Sequence, residues 1–377
     1  MIKRKMKFIL SVLFLFVFFT KCKNDKEEDE ITPDNSFDKA GMLSNIGGQI
    51  IIPAYKDFKT SIDSLQYFNN LFVLNSSLIN LTNLQTQFIQ AYKQFQYVST
   101  FEFGPADAEL FRASLNVFPC DTSEINTKIT TGSMSLSSVS DVDSKGFPAV
   151  DFLLYGAQHD NNDILIKFTT HADAANRKNY LTAIVNELKT KTDIVNTGWK
   201  LSAGNYISTF KSSTGSDVGS SIGLLVNQLN FDFELLKNAR IGIPLGKRTL
   251  GVALPEKVEG FYNQQSVALV LQQLNSIENI YLGRNKQNVD GLGLDDYLVH
   301  VNAQHTSGLL NDAIKNKFTS AKNKLALITD PLSQAVINNP TIVDAAYMEL
   351  QQLVVLLKVD MPSALGVLIT YQDNDGD

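Results

Sequence analysis

Residues 78–98 read LINLTNLQTQFIQAYKQFQYV and contain the repeat that decides the fold class. The apolar residues of this stretch recur at steps of three and four, at Leu81, Leu84, Phe88, Tyr92, Phe95 and Val98. Because an α-helix has 3.6 residues per turn, this spacing places them on one face of one helix. An apolar face of this width is typical of a helix that packs against other helices.

The same spacing returns in three later segments, whereas strict alternation of apolar and polar residues is scarce. The first group is Leu181, Ile184, Val185 and Leu188; the second is Val267, Val270, Leu271, Leu274 and Ile277; the third is Val343, Ala346, Tyr347, Leu350, Leu353, Val354 and Leu357. Helices of this length with short polar connections usually pack antiparallel. The sequence therefore predicts an all-α protein with helical-bundle packing.

The length of the chain is sufficient for two domains. Residues 211–216, KSSTGS, form the most loop-like interior stretch, so we place a domain boundary there. This predicts an N-terminal helical domain of residues 37–212 and a C-terminal helical domain of residues 213–377. Residues 132–146, rich in Ser and Asp, predict a long exposed loop that is either functional or disordered.

The first 36 residues are typical of an export signal and a linker. Basic residues precede an apolar run at residues 8–19, and that run is shorter than the roughly 20 residues of a membrane-spanning helix. Cys22 follows it, at the position where lipoproteins are cleaved and acylated, although Lys21 stands where a small residue is expected. We expect residues 1–22 to be a lipoprotein signal peptide and residues 23–36 to be an acidic flexible tether. A short transmembrane anchor is the alternative.

The charge balance argues against one class of partner. The chain has a formal charge of -6, and loss of residues 1–21 would remove five basic residues and no acidic ones. An acidic protein is repelled by phosphate backbones, so nucleic acid is not an expected partner. We expect an outer-membrane lipoprotein of the cell envelope, attached to the membrane through a lipid on Cys22 and facing either the periplasm or the cell surface.

Five blocks, in order along the chain, resemble sequences of the imelysin family. They are EFGPAD at residues 102–107, GFPAVDFLLYG at 146–156, IGIPLG at 241–246, PEKVEGFY at 255–262 with Ser266 after it, and ITYQDNDGD at 369–377. The resemblance implies two helical-bundle-like domains packed with a cleft between them. It also implies an envelope protein tied to iron or haem acquisition, with iron or haem uptake components as partners, in a family first named for a peptidase activity.

The second block departs from the family's Gly-x-His-x-x-Glu motif. Gly146 is retained, but Pro148 stands at the His position and Asp151 at the Glu position. A His and a Glu three residues apart on a helix share a face and can pair as metal ligands. Proline has no lone pair to offer a metal, so the family's metal chemistry is in doubt here. Both residues also have structural interpretations: Pro148 suits a first helical turn, and Asp151 could be a carboxylate favoured by the helix dipole.

Two further groups of residues are candidate metal ligands. His159 lies near Asp151 in the sequence, so a composite His–carboxylate site is one interpretation and a solvated loop histidine is the other. Asp373, Asp375 and Asp377 alternate like the opening of a calcium-binding loop, but the chain contains no Glu at the twelfth position of such a loop. A frayed acidic tail is the alternative for these three.

Three remaining candidates lie outside any metal motif. Glu256 and Glu259 are three residues apart, so on a helix they would share a face that either lines the cleft or is solvated. Ser266 has no nearby His to activate it and is interpreted as a helix-face hydroxyl. Cys120 is interpreted as a small buried apolar residue, since an acylated Cys22 would leave it without a disulfide partner.

Three functional hypotheses follow from these observations. The leading one is a non-enzymatic imelysin-like lipoprotein that binds a ligand or partner linked to iron or haem uptake through the interdomain cleft. The second is a metal-dependent peptidase with a rearranged site. The third is a structural surface lipoprotein, which would have its cleft filled by apolar side chains.

Overall fold

The computed structural model describes residues 36–156, 160–306 and 308–371. The predicted signal peptide with Cys22, the predicted tether up to residue 35, His159, and the terminal Asp373, Asp375 and Asp377 lie outside the described residues. The predictions made for them therefore stay predictions.

Helices make up nearly all the regular structure of the described residues. The first α-helices are α1 Lys39–Asn45, α2 Ile52–Leu74, α3 Leu78–Phe95, α4 Pro105–Ala108, α5 Phe111–Leu115, α6 Thr122–Thr131, α7 Gly146–Tyr155, α8 Asn161–Thr169, α9 Ala174–Trp199 and α10 Tyr206–Ser212. The later α-helices are α11 Ser221–Leu235, α12 Ser266–Tyr281, α13 Leu294–His300, α14 Leu310–Leu325, α15 Leu332–Asn338, α16 Pro340–Val355 and α17 Met361–Leu365. The predicted all-α class is confirmed.

Short irregular elements complete this list. The π-helical segments are Ile46–Ile51, Leu236–Gly242 and Leu356–Asp360. The 3₁₀ turns are Val139–Asp141 and Pro255–Lys257. Strands β1 Gln304–His305 and β2 Gly308–Leu309 form a small antiparallel hairpin in which Gln304 is paired with Leu309.

Helices α2, α3 and α9 pack together along their lengths, with α2 against both of the others. Side-chain caps begin two of the nearby helices: Asp38 accepts a hydrogen bond from the backbone N–H of Gly41 at 2.7 Å at the start of α1, and Ser77 caps α3. The predicted apolar face of α3 is buried, and its ring Tyr92 stacks on Phe147 of α7 at a centroid distance of 4.7 Å. This stack fixes α7 against α3.

The second half of the described chain is organised around α12, α14 and α16, with α14 packed against both of the others. Most residues of the predicted apolar faces of α12 and α16 are buried, while Leu271 and Tyr347 are half-buried at their margins. None of the helices in the described ranges is both long enough and apolar enough to cross a bilayer.

The residues from Phe37 onward cluster as one compact unit. Helix α12 contacts α3, so the regions before and after residue 212 share packing surface. The predicted division at residues 212 and 213, and the interdomain cleft, stay predictions.

The prediction that residues 132–146 form an exposed loop is wrong for the second part of this segment. Lys128 Nζ lies 2.6 Å from Asp141 Oδ1, and Lys145 Nζ lies 2.8 Å from Glu187 Oε1; Asp141 and Lys145 are buried. These ion pairs hold the segment against α6 and α9, which the local abundance of Ser and Asp did not reveal.

Candidate functional site

Gly146 begins helix α7 with a backbone conformation that side chains rarely adopt. Its φ is +70°, and a Cβ atom added to it would lie 2.2 Å from the carbonyl oxygen of Leu115. Only glycine fits this close approach of two backbones. The structure thus explains the glycine of the motif by packing alone.

Pro148 is the third residue of α7 and is buried. In the first helical turn the backbone N–H groups have no partner within the helix, so a proline costs little there. This agrees with the structural interpretation of Pro148. The ring has no atom that could coordinate a metal or transfer a proton.

Asp151 is the sixth residue of α7, beyond the first turn, so its interpretation as a helix-start carboxylate is wrong. Its Oδ2 accepts a hydrogen bond from the backbone N–H of Tyr262 at 3.0 Å, and its Oδ1 accepts one from Asn263 Nδ2 at 2.7 Å. The residue is 2 % exposed. Burial raises the pKa of Asp151 to about 7, outweighing the donors that favour the charged form.

Glu259 lies in a buried polar network and is 1 % exposed. Its Oε2 is 3.0 Å from Arg240 Nη1, while its Oε1 accepts hydrogen bonds from Asn116 Nδ2 at 2.7 Å and Gln96 Nε2 at 3.1 Å. Arg240 Nη1 also donates to Gln96 Oε1 at 2.6 Å, and the Tyr92 hydroxyl donates to Asn116 Oδ1 at 2.8 Å. The network joins α3, the segment after α5, the π-helical turn after α11 and the segment before α12.

The predicted helix face of Glu256 and Glu259 does not exist. Only Pro255–Lys257 forms a single 3₁₀ turn, so Glu256 is exposed while Glu259 points into the protein. The solvated interpretation of Glu259 is therefore wrong. Ser266 is the first residue of α12 and is buried, and its Oγ has no hydrogen-bond partner within the described part of the chain.

A cavity of about 240 Å³ lies beside the motif helix. Its wall combines Pro148 and Asp151 of α7 with two other segments: Phe118, Pro119, Cys120 and Thr122 on one side, and Glu256, Lys257, Val258, Gly260, Phe261 and Tyr262 on the other. Pockets that enclose drug-sized ligands usually measure about 300–1,000 Å³. This cavity therefore suits a small ligand or one group of a larger one.

Cys120 lies in the cavity wall and is half-buried, rather than fully buried as predicted. Burial raises the pKa of its thiol to about 12, with the Asp151 carboxylate as the next contribution. The thiol is therefore protonated at neutral pH, and a protonated thiol is a poor nucleophile.

The donor atoms around α7 do not fit a transition-metal ion. Pro148 offers no ligand atom, and both oxygens of Asp151 accept hydrogen bonds from Tyr262 and Asn263. Within residues 36–156, 160–306 and 308–371, no three His, Cys, Asp or Glu side chains are grouped to hold a metal. The composite site with His159 lies outside these ranges and stays a prediction.

Sequence reasoning missed the polar residues that organise this site, namely Gln96, Asn116, Arg240 and Asn263. The local signal for Arg240 was weak, because apolar residues flank it at positions 239 and 241 but Lys237 and Asn238 precede it. A buried arginine requires a partner, but nothing local indicated Glu259 as that partner.

Comparison with known proteins agrees with the architecture. The family model described as Imelysin matches residues 51–358. Iron-regulated protein A of Synechococcus elongatus is 21% identical over 296 residues, which cover 75% of this chain and 74% of that protein.

Two crystal structures share the fold. An iron-regulated protein A precursor from Parabacteroides distasonis has a TM-score of 0.72 at 18% identity, covering 86% of this chain and 94% of the other. An imelysin-like protein from Psychrobacter arcticum has a TM-score of 0.66 at 17% identity, covering 88% and 97%. With the family model matching most of its length, this chain belongs to the imelysin family.

Proposed function

We propose that this chain is a non-enzymatic binding protein of the cell envelope, linked to iron or haem acquisition, which takes up a ligand in the cavity beside α7. The proposal rests on the residues that stand at the His and Glu positions of the family motif. Pro148 supplies no ligand or base, and the Asp151 carboxylate is used to hold residues 262 and 263. Neither residue is free to perform metal-assisted hydrolysis.

The cavity favours a binding role over a purely structural one. A volume of about 240 Å³ lies between three separate chain segments, and concave sites of this kind are where small molecules usually bind. Its size favours a small ligand, or one group of a larger molecule that stays mostly outside.

The link to iron is supported by the name of a relative, iron-regulated protein A. The envelope location is supported by the sequence around Cys22, whose acylation would attach the chain to a membrane. A position on either face of the outer membrane is compatible with this attachment.

A peptidase assay tests the absence of catalysis. Purified residues 23–377 are incubated with a mixed peptide library, with and without a chelator, beside an Asp151→Ala variant. We expect no hydrolysis that distinguishes the chain from the variant. Hydrolysis that the chelator abolishes and that Asp151→Ala removes would establish the rearranged peptidase instead.

A further inference from the structure

We propose that the cavity beside α7 recognises a small organic cation, such as a quaternary or protonated amine, held against the aromatic rings of its wall. This inference rests on the proposed binding function and adds the chemical class of the ligand.

Three aromatic rings stand in the cavity wall. Phe118, Phe261 and Tyr262 are each half-buried, so part of every side chain remains accessible. An aromatic face attracts a cation that lies within about 6 Å of the ring centroid, and a quaternary ammonium group is the usual ligand of such aromatic walls. The rings themselves are uncharged, yet their faces attract a cation.

Contacts behind the wall hold these rings in place. Tyr262 packs edge-on against Phe261 with centroids 5.1 Å apart, and Phe152 of α7 lies 5.3 Å from Tyr262. The guanidinium carbon of Arg240 is 6.0 Å from the centroid of Phe118, so that ring already takes part in one cation–π contact. Rings fixed before binding lose little freedom when a ligand arrives.

The charges in the wall also favour a cation. Asp151 of α7 lies in the wall, and Glu256 adds an exposed carboxylate next to Lys257 in the sequence. The charges of Glu256 and Lys257 offset each other, so Asp151 decides the sign when it is ionised. Glu259 lies behind the wall and is paired with Arg240. An anionic ligand would be repelled by Asp151 when that carboxyl group is ionised.

The test uses three probes of one shape and different charge: choline, its neutral isostere 3,3-dimethylbutanol, and 3,3-dimethylbutyrate. Binding to residues 23–377 is measured by titration calorimetry and by ligand-observed NMR. We expect choline to bind at least about tenfold more tightly than the other two. Phe261→Leu should weaken choline binding by about 2- to 30-fold, the range expected for one cation–π contact.

Two control variants distinguish a lost contact from a misfolded protein. Phe261→Tyr keeps a ring at the position and should retain choline binding, while Tyr67→Leu removes an exposed ring far from the cavity residues in sequence and should change nothing. Equal or tighter binding of the alcohol or the acid would overturn the cation assignment, yet it would leave the cavity as a ligand site and the proposed function standing. If none of the probes binds, the cation assignment is also wrong, and the peptidase assay still tests the non-enzymatic part of the proposed function separately.

Discussion

Asp151 Oδ1 accepts a hydrogen bond of 2.7 Å from Asn263 Nδ2, which joins helix α7 to a segment 112 residues further along the chain. The neighbouring Tyr262 N–H donates to the other carboxylate oxygen. The residue at the motif's Glu position therefore holds two chain segments together, and the cavity lies where they meet.

The raised pKa of Asp151 predicts a pH-dependent stability. Its pKa rises from 3.8 to about 7 on folding because the carboxyl group is buried. Between these two values the unfolded chain has released a proton that the folded protein retains, so stability falls as pH rises. The expected slope is about 1.4 kcal/mol per pH unit at most. Denaturant unfolding of the wild type and Asp151→Asn from pH 4 to 8 measures it.

The difference in unfolding free energy between these two proteins isolates the contribution of Asp151 from that of the other titrating groups. We expect the unfolding free energy of the wild type to fall relative to that of Asp151→Asn as the pH rises to about 7. Above that pH the difference should stay constant. A difference that is constant from pH 4 to 7 would mean that the carboxyl group is already ionised in the folded protein.

The buried pair of Arg240 and Glu259 predicts strong coupling. Glu259→Leu would leave the Arg240 guanidinium buried without its counter-charge, which usually costs about 3–5 kcal/mol. Replacing both residues, as Arg240→Met with Glu259→Leu, should cost clearly less than the sum of the two single changes. Denaturant unfolding of the four proteins in the cycle gives the coupling free energy.

Lys286 and Asp57 provide a matched surface pair, with partly exposed side chains whose charged groups lie 3.1 Å apart. Coupling between exposed charges is usually below about 1 kcal/mol. If the buried pair couples no more strongly than this surface pair, the network around Glu259 contributes nothing specific.

Gly146 predicts a substitution effect that separates steric clash from backbone strain. Gly146→Ala places a Cβ atom against the Leu115 carbonyl as well as straining the backbone, whereas Gly251 has a φ of +87° with nothing within 4 Å. We expect Gly251→Ala to cost about 1–2 kcal/mol, as for other residues in this backbone region. Gly146→Ala should cost clearly more by thermal or denaturant unfolding. Equal costs would show that the helix start shifts freely away from Leu115.

The helices could be predicted because their signals are local. The stripe from Leu81 to Phe95 repeats within one helix, so it follows from neighbouring residues alone. The same locality explains the error at Glu259. A three-residue step from Glu256 resembles a helix face, but Pro255–Lys257 is a single turn, and tertiary packing directs Glu259 inward.

The candidate site was less accessible from sequence because its contacts are long-range. Asn263 reaches Asp151 and Gln96 reaches Glu259 across more than a hundred residues, and no spacing rule connects such pairs. The replacement of the motif histidine by Pro148 was readable from the sequence. The use of Asp151 as a structural anchor needed the fold.

The proposed attachment of the chain to a membrane predicts a specific effect of Cys22. Cys22→Ser should move the protein from the membrane fraction to the soluble fraction and abolish incorporation of labelled fatty acid. The chain contains two cysteines, so Cys120→Ser is the matched control and should leave both results unchanged. Labelling that survives Cys22→Ser would contradict the lipoprotein assignment.

Metal content of the purified chain tests the central claim most directly. Residues 23–377 are loaded with iron, copper or zinc, passed through a desalting column and analysed for metal, beside Asp151→Ala and beside His171→Ala as a control for the exposed His171 side chain. Because Pro148 offers no ligand and Asp151 is held by Tyr262 and Asn263, we expect far less than one retained ion per chain, unchanged by Asp151→Ala. One tightly held transition-metal ion per chain that Asp151→Ala removes would contradict the account.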